Sequence, residues 1–424
     1  MACDILAKSI ATYNINHTSN KALNLSLEDI DSTIYIIQMI IAVQGCSHGE
    51  LNKIYKRLDQ IKAESGLKPE ILLCCGDFQP IRDEEDLNEL SCPKKYRLFR
   101  DFIHYYNGDR IAPILTIFIG GNHEAPDFLK NLYFGGWVAP NIYYLGHSGI
   151  INVNGLRIGG LSGIYKHQDY KLGYFEKRPY DEYTKRSSYH IREFEVEKLL
   201  LIKEPLDIFI SHDWPLNIVK YGDYESLIKK KPFLESQIRA GQLGNPATEI
   251  ILKHLKPSHW FSAHMHINYS ALYTHENGKT TSFLALDKVL PGRKYIEVID
   301  VPLVGNNPNK THKSDSNPII CYDLEWCAIN HVNHSRMPLN PFTVSTPLKL
   351  EYPTESEISK VKGMLSKKCK PSNYSYRILH NDTDVYKSPK KQQQDFLNLL
   401  ELPSNSYFNE DDKGLQIKFI ETYF

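Results

Sequence analysis

The feature that most constrains this chain is a recurrence of short apolar runs, each closed by a polar cluster of ligand-type residues. The runs lie at 40–44, 71–75 ("ILLCC"), 114–121 ("ILTIFIGG"), 156–163 ("LRIGGLSG"), 206–212 ("LDIFISH") and 259–266 ("HWFSAHMH"). Continuous apolar runs of this length suit strands buried on both faces, as in sheets covered by helices. Between the first two runs Leu51, Ile54, Tyr55, Leu58 and Ile61 recur at helical spacing, so this stretch reads as a β-α-β unit. Helical stretches at 94–107 and 190–202 separate later runs, and two more strands are expected at 281–286 and 294–301. An α/β sandwich follows, with ligands gathered at strand ends.

The strand ends deliver Cys46 and His48, then Asp77, then Asn122 and His123, then His212, and finally His264 and His266. A single His after a strand is usually a hydrogen-bonded turn residue, and an Asp after Gly is usually a helix cap. Five such clusters need a common reason. Imidazole, carboxylate, amide oxygen and thiolate suit Zn, Fe(II) or Mn, and ligands collected from several strand ends build a two-metal hydrolytic centre. Cys46 could pack as a thiol, since free Cys is among the most buried residue types. Its place two residues before His48 at a strand end favours ligation. No second Cys completes a C-x-x-C redox pair with it, and Cys74 and Cys75, inside a strand, read as core.

Composition narrows the partners. Lys+Arg equals Asp+Glu, at 50 each, so any attraction to nucleic acid must come from a local patch. No stretch reaches the roughly 18 apolar residues of a membrane span. The eight cysteines are scattered and follow no signal peptide, which points to a reducing compartment. From about 165 to 189 the apolar period fails and Tyr, Lys and Arg accumulate, over a length that suits a functional loop. The stretches 305–318 and 387–394 ("KSPKKQQQ") read as a mobile surface loop and a solvated tract.

The order and types of these residues resemble the calcineurin-like metallophosphoesterases, whose pattern is D-x-H, GD, GNHE, a lone His and GH-x-H. Here it stands as "CSH", "GD", "GNHE", "SHDWP" and "AHMH". The resemblance implies that Asp77 bridges two metals, that Cys46, His48 and His266 complete one site, and that Asn122, His212 and His264 complete the other. It makes His123 a proton donor, with Glu124 either orienting it or serving only as a dipole partner at a helix start. The chain departs from the pattern at Cys46, where the family carries Asp. A thiolate is softer than a carboxylate, so two divalent cations are expected, with Fe(II) and Zn favoured, Mn admitted and Mg disfavoured. Protein phosphatases of this fold read GD-x-VDRG, which "GDFQPIRD" lacks.

The stretches "CCGDFQPIRD", "TIFIGGNHEAPDFL", "GLRIGGLSGIYKHQDY", "HLKPSHWFSAHMH" and "TSFLALDKVLPGRKYIEVI" are similar to the RNA lariat debranching enzymes over about 40–330. That resemblance implies an αββα metallophosphoesterase sandwich with a smaller C-terminal domain. The expected division is a disordered extension at 1–38, preceding a natural start at Met39, a catalytic domain at 39–275, and a C-terminal domain and tail at 276–424. It also implies hydrolysis of the 2′-5′ phosphodiester of branched intron lariat RNA, in the nucleus with cytoplasmic shuttling, by a monomer. The insertion at about 165–192 corresponds to the segment that grips the RNA. Its rings can stack on bases and its cations can meet phosphates. The candidates are Lys166, Tyr170, Lys171, Tyr174, Phe175, Lys177, Arg178, Lys185 and Arg186. The alternatives are a less selective phosphoesterase and a scaffold without catalysis.

Overall fold

Each apolar run becomes a strand that stops where its polar cluster begins. A computed structural model describes residues 37–303, 318–342, 347–369, 371–372, 375–377 and 388–408. β1 (Ile37–Gln44), β2 (Ile71–Cys74), β3 (Leu115–Phe118), β4 (Gly136–Ala139), β5 (Ile142–Tyr144) and β12 (Ile296–Leu303) form one sheet, in the order β12-β1-β2-β3-β5-β4. The second sheet contains β6 (Ser148–Val153), β7 (Leu156–Leu161), β8 (Ile208–Ser211), β9 (His259–Ser262), β10 (Tyr269–Thr274) and β11 (Thr280–Ala285). It also takes β13 (Ile320–Tyr322), β14 (Pro371–Ser372) and β15 (Ser375–Arg377), in the order β10-β11-β9-β8-β7-β6-β13-β15-β14.

The period of two within each strand sorts residues between layers. Ile41, Val43, Leu73 and Ile117 of the first sheet meet Ile158, Ile208, Ile210 and Phe261 of the second in one core between the sheets. Ala42, Leu72, Cys74 and Phe118 face the other way, against Leu51, Ile54, Tyr55 and Leu58 of α1 (Leu51–Ser65). On the far side Phe209 and Trp260 meet α2 (Glu193–Leu200) and α3 (Pro246–Leu255). Helices therefore cover both outer faces of two stacked sheets, the αββα arrangement. Burying each such side chain contributes about 1.5–3 kcal/mol, so a one-residue slip of register is strongly disfavoured.

The part of the chain beyond residue 275 is built into this sandwich. β12 runs antiparallel along the whole of β1, from Ile37 opposite Leu303 to Gln44 opposite Ile296, and β11 pairs in parallel with β9. α4 (Leu324–Asn333), α5 (Glu355–Lys368) and α6 (Pro389–Leu399) add a further core in which Cys327, Val361, Leu365 and Phe396 meet Tyr133 and Phe194. Asp323 caps α4 by accepting from the Trp326 amide, and Thr354 with Glu357 forms a capping box on α5.

Two sequence expectations give way here. The stretch 94–107 is not one helix: a turn of 3-10 helix at Lys94–Tyr96 and a short helix at Phe102–Tyr106 are separated by non-helical backbone. Tertiary bonds win over helical spacing at this point. The Asp101 amide donates to the Gly49 carbonyl at 3.1 Å, and the Asp101 carboxylate accepts from the Asn52 amide at 2.9 Å. The tract at 387–394 is not merely solvated, because Pro389 opens α6. Gln392 accepts from the Trp137 amide and donates to the Trp137 carbonyl, each at 2.8 Å, and Gln393 accepts from the Tyr133 amide at 3.2 Å. The helix thus satisfies the open edge of β4 as a neighbouring strand would. Gln392→Ala is expected to lower stability by about 1–3 kcal/mol through these two lost bonds. An unchanged urea midpoint would show that water satisfies that edge equally well.

Of the expected extension at 1–38, residues 1–36 lie outside the described residues, while Ile37 and Gln38 begin β1. Most of the expected loop at 305–318 also lies outside them.

Candidate metal centre

The loops after β1, β2, β3, β8 and β9 converge at one end of the sandwich, where the two sheets meet. Those after β1, β2 and β9 turn sharply on leaving their strands. His48 (φ 45°), Asp77 (φ 48°), His264 (φ 60°) and His266 (φ 48°) all adopt the left-handed backbone region. For residues other than glycine such conformations cost of order 1–3 kcal/mol each, and they persist where the surrounding structure dictates a side chain's aim. Two glycines make the approach feasible. A Cβ on Gly76 would stand 2.3 Å from His212 Nδ1, and one on Gly121 would stand 2.3 Å from Asp77 Oδ1.

Cys46, His48, Asp77 and His266 each present one ligand atom, and these four atoms lie within 4.8 Å of one another. His48 Nε2 is 3.2 Å from His266 Nε2 and 3.7 Å from Asp77 Oδ2. On the other side of Asp77, its Oδ1 is 3.4 Å from His212 Nε2, which in turn is 3.2 Å from His264 Nδ1. The Asn122 Oδ1 is buried with no hydrogen-bond partner among the described residues. Asp77 therefore offers one oxygen to each of two ligand groups. Cys46, His48 and His266 stand on one side and His212 and His264 on the other, with the Asn122 backbone amide 2.9 Å from Asp77 Oδ1.

The protonation chemistry fits cations at both positions. Burial holds His48 down to about 4 and His266 to about 3, which leaves both imidazoles in the neutral, ligating form. Burial would raise the Asp77 carboxyl, but the His212 and His48 imidazoles hold it well below the usual range. Burial alone would keep His212 neutral, yet Asp77 pushes it up to about 9, so a cation binding there displaces a proton. His212 Nδ1 lies 2.7 Å from the Cys75 carbonyl, an arrangement that keeps the proton on Nδ1 and directs Nε2 to the centre. Burial pushes the Cys46 thiol up, so only a cation on the sulfur itself would hold it as thiolate. An unpartnered buried amide oxygen, paired neutral imidazoles and a shared carboxylate are the donor set that a pair of divalent ions satisfies.

His123 stands beside this set. Its ring centroid is 5.8 Å from that of His48, and its Nδ1 is buried without a partner among the described residues. Glu124 does not orient it. The Glu124 carboxylate instead accepts the amides of Phe78 and Gln79, both at 2.8 Å, and of Gly121 at 2.7 Å, tying the loop after β2 to the loop after β3. Burial and the Asp77 charge push it up to about 8, against those three donors.

Sequence reading passed over two neighbours. Asp213 lies 3.7 Å from His264 Nε2 and accepts the Tyr165 amide at 2.7 Å; its place directly after His212 was the available signal. Lys288 carries no such signal, because only a backbone bridge between distant segments sets it beside Cys46. Its charge helps hold His48 and His266 down.

Residues 39–268 match the family model described as calcineurin-like phosphoesterase, and 278–405 match the lariat debranching enzyme, C-terminal domain. Lariat debranching enzyme A of Xenopus laevis is 48% identical over 296 residues, covering 69% of this chain and 54% of that protein. The lariat debranching enzyme of Arabidopsis thaliana is 47% identical over 303 residues, covering 71% and 70%. The chain belongs to the lariat debranching enzyme family. That of Homo sapiens is 46% identical over 297 residues, covering 69% and 53%, so the match spans about half the length of the Xenopus and human relatives. Membership of this metallophosphoesterase family implies divalent metal ions at the centre.

In this debranching-family chain the insertion at 165–192 borders the centre through the Tyr165 amide, which donates at 2.7 Å to Asp213, the neighbour of His264. Lys166, Lys171 and Arg186 are exposed, Lys177 is half-buried, and Lys185 is half-buried with its ammonium 3.3 Å from Glu182. Tyr170 is half-buried against Tyr165, and Phe175 lies half-buried near Tyr183. One candidate is corrected. Tyr174 is buried against Tyr133 and Tyr407, with its hydroxyl donating to Glu195 at 3.1 Å, so its ring cannot meet a base. Arg178 is exposed and pairs with Glu89 at 2.7 Å and Glu85 at 2.9 Å, which braces the insertion against residues 85–89. Composition shows that a loop is aromatic and cationic, but not which residues point inward to hold it.

Proposed function

We propose that this chain hydrolyses the 2′-5′ phosphodiester at the branch point of excised intron lariat RNA, releasing linear intron RNA. The observation that carries the reading is the Asp77 carboxylate, set between the Cys46, His48 and His266 cluster and the His212 and His264 pair, beside the aromatic and cationic insertion. Divalent cations held there would supply a nucleophilic water near neutral pH and offset the charge on the phosphate. The chain's own residues do the rest. Asp77, His48 and His212 set the spacing of the centre, and Glu124 fixes two of its loops. His123, next to the ligands but outside them, holds a proton for the departing 2′ oxygen, which is a poor leaving group without one. Lys166, Lys171 and Arg186 would meet phosphates, and Tyr170 and Phe175 would flank bases. Excised introns arise in the nucleus, and the reading carries nuclear work with it.

The test is cleavage of synthetic branched RNA against linear 3′-5′ RNA and a phosphopeptide, using metal-depleted protein resupplied separately with Fe(II), Zn, Mn and Mg. Selective cleavage of the branch supports the proposal, and equal rates on branched and linear RNA would replace it with a general nuclease. The softness of Cys46 points to Fe(II) or Zn on its side of Asp77, with Mn accepted. Cys46→Asp is accordingly expected to leave a folded, active centre that Mg and Mn activate more readily. An unchanged metal-activation profile would show that the sulfur does not touch metal.

A further inference from the structure

The segment 94–100, "KKYRLFR", was expected in a helix and instead lies open on the surface next to the metal centre. It holds four cations and no carboxylate in a chain of zero net charge. Tyr96 is 60% exposed, Leu98 51% and Phe99 42%. Single exposed apolar residues are ordinary, but three within four positions interleaved with cations are a recognition composition. Lys94 and Lys95 are exposed and make no ion pair among the described residues. The Lys95 ammonium instead lies 4.9 Å over the Tyr96 ring.

The segment is held at the edge of the centre. Arg97 donates to the carbonyls of Cys92 at 3.0 Å and Asn88 at 2.8 Å, which fixes the turn. The Arg100 side chain lies so close to Gly49, the residue after His48, that a Cβ there would stand 2.5 Å from it. Ser91, just before the segment, hydrogen-bonds to Tyr189 of the insertion at 3.2 Å, so the two surfaces adjoin.

We infer that residues 94–100 form a second contact surface for single-stranded RNA, which takes an arm of the branched substrate as it leaves the metal centre. The inference rests on the proposed debranching reading of that centre. The partner is argued from chemistry: a polyanion with flat apolar faces matches alternating cations and exposed rings, and the surface continues from the centre where the phosphodiester would sit. A protein partner would need carboxylates and apolar groups in one arrangement, whereas any RNA arm presents phosphates and bases in repeat.

The experiment compares branched RNA with long single-stranded arms against branched RNA with arms trimmed short. Because residues 94–100 hold no ligand, every variant should keep the wild-type metal content. Tyr96→Ala with Phe99→Ala is expected to weaken binding of the long-armed RNA by about 5- to 100-fold and leave turnover of the short-armed RNA unchanged. Lys94→Gln with Lys95→Gln should flatten the dependence of affinity on salt, lowering the log–log slope by about 1.4. Cleavage of the short-armed RNA by wild-type protein tests the reading of the centre separately. Unchanged affinity and slope in both variants would overturn the inference and leave the surface to a protein partner. Equal losses on long- and short-armed RNA would overturn it too, by showing that the segment supports the centre itself.

Discussion

Replacing His123 by alanine is expected to leave two cations bound while turnover of branched RNA falls by about 10²–10⁴-fold, the usual loss for a general acid. The expectation follows from where the ring stands. His123 contributes no atom to the four-residue ligand cluster, yet its ring is next to His48 and its Nδ1 has no partner among the described residues. What touches Asp77 is the His123 backbone amide, at 3.0 Å, and alanine keeps that bond. A parallel loss of metal and activity would show that the imidazole ligates. A further check uses a substrate with a better leaving group, such as an activated aryl phosphodiester. There His123→Ala should lose far less, because such a leaving group needs no proton.

Replacing Arg157 by methionine is expected to destabilise the folded chain by about 3–5 kcal/mol, the range for breaking one side of a buried ion pair. Arg157, near the start of β7, donates from Nε and Nη2 to the two oxygens of Asp323, both at 2.8 Å, and from Nη2 to Glu325 at 2.8 Å. It also donates to the Glu204 carbonyl at 2.5 Å. Without it two nearly buried carboxylates would lie at the start of α4 with no cation between them. The same Asp323 caps α4, so the loss spreads into the helix that joins the C-terminal core to the sandwich. Urea unfolding would measure the effect. A drop below about 1 kcal/mol would mean that the carboxylates take up protons or water instead. Arg157 lies at the opposite end of its strand from the metal centre, so protein that remains folded should retain its metals. Adding Asp323→Asn and Glu325→Gln should recover much of the stability, because the cost lies in the unpaired charges.

The residues that gather at the candidate centre were legible in the sequence because each stands directly after an apolar run, and a strand buried on both faces must release its polar residues at its ends. Their order and residue types, imidazole, carboxylate, amide and thiolate, were enough to indicate a centre for divalent metal ions. Helix α1 was legible from its spacing, and the sandwich from its continuous apolar runs.

Tertiary structure alone decided the rest. That Asp77 offers one oxygen to each ligand group depends on left-handed turns and on glycines whose missing Cβ atoms admit neighbouring loops. Glu124 looks like a partner for His123 in sequence, but its carboxylate goes to three backbone amides brought together from two loops. Tyr174 and Tyr170 are indistinguishable in composition, and only packing puts the first in a core beside Tyr133 and leaves the second half-exposed. Helical spacing over 94–107 was overruled by bonds from Asp101 to the start of α1, and a glutamine-rich tract became the cover of an open strand edge. Periodicity records which residues must leave water, and so it determined the strands, α1 and the ends where ligands emerge. Aim and pairing depend on atoms far apart in the chain, and only the folded structure sets those distances.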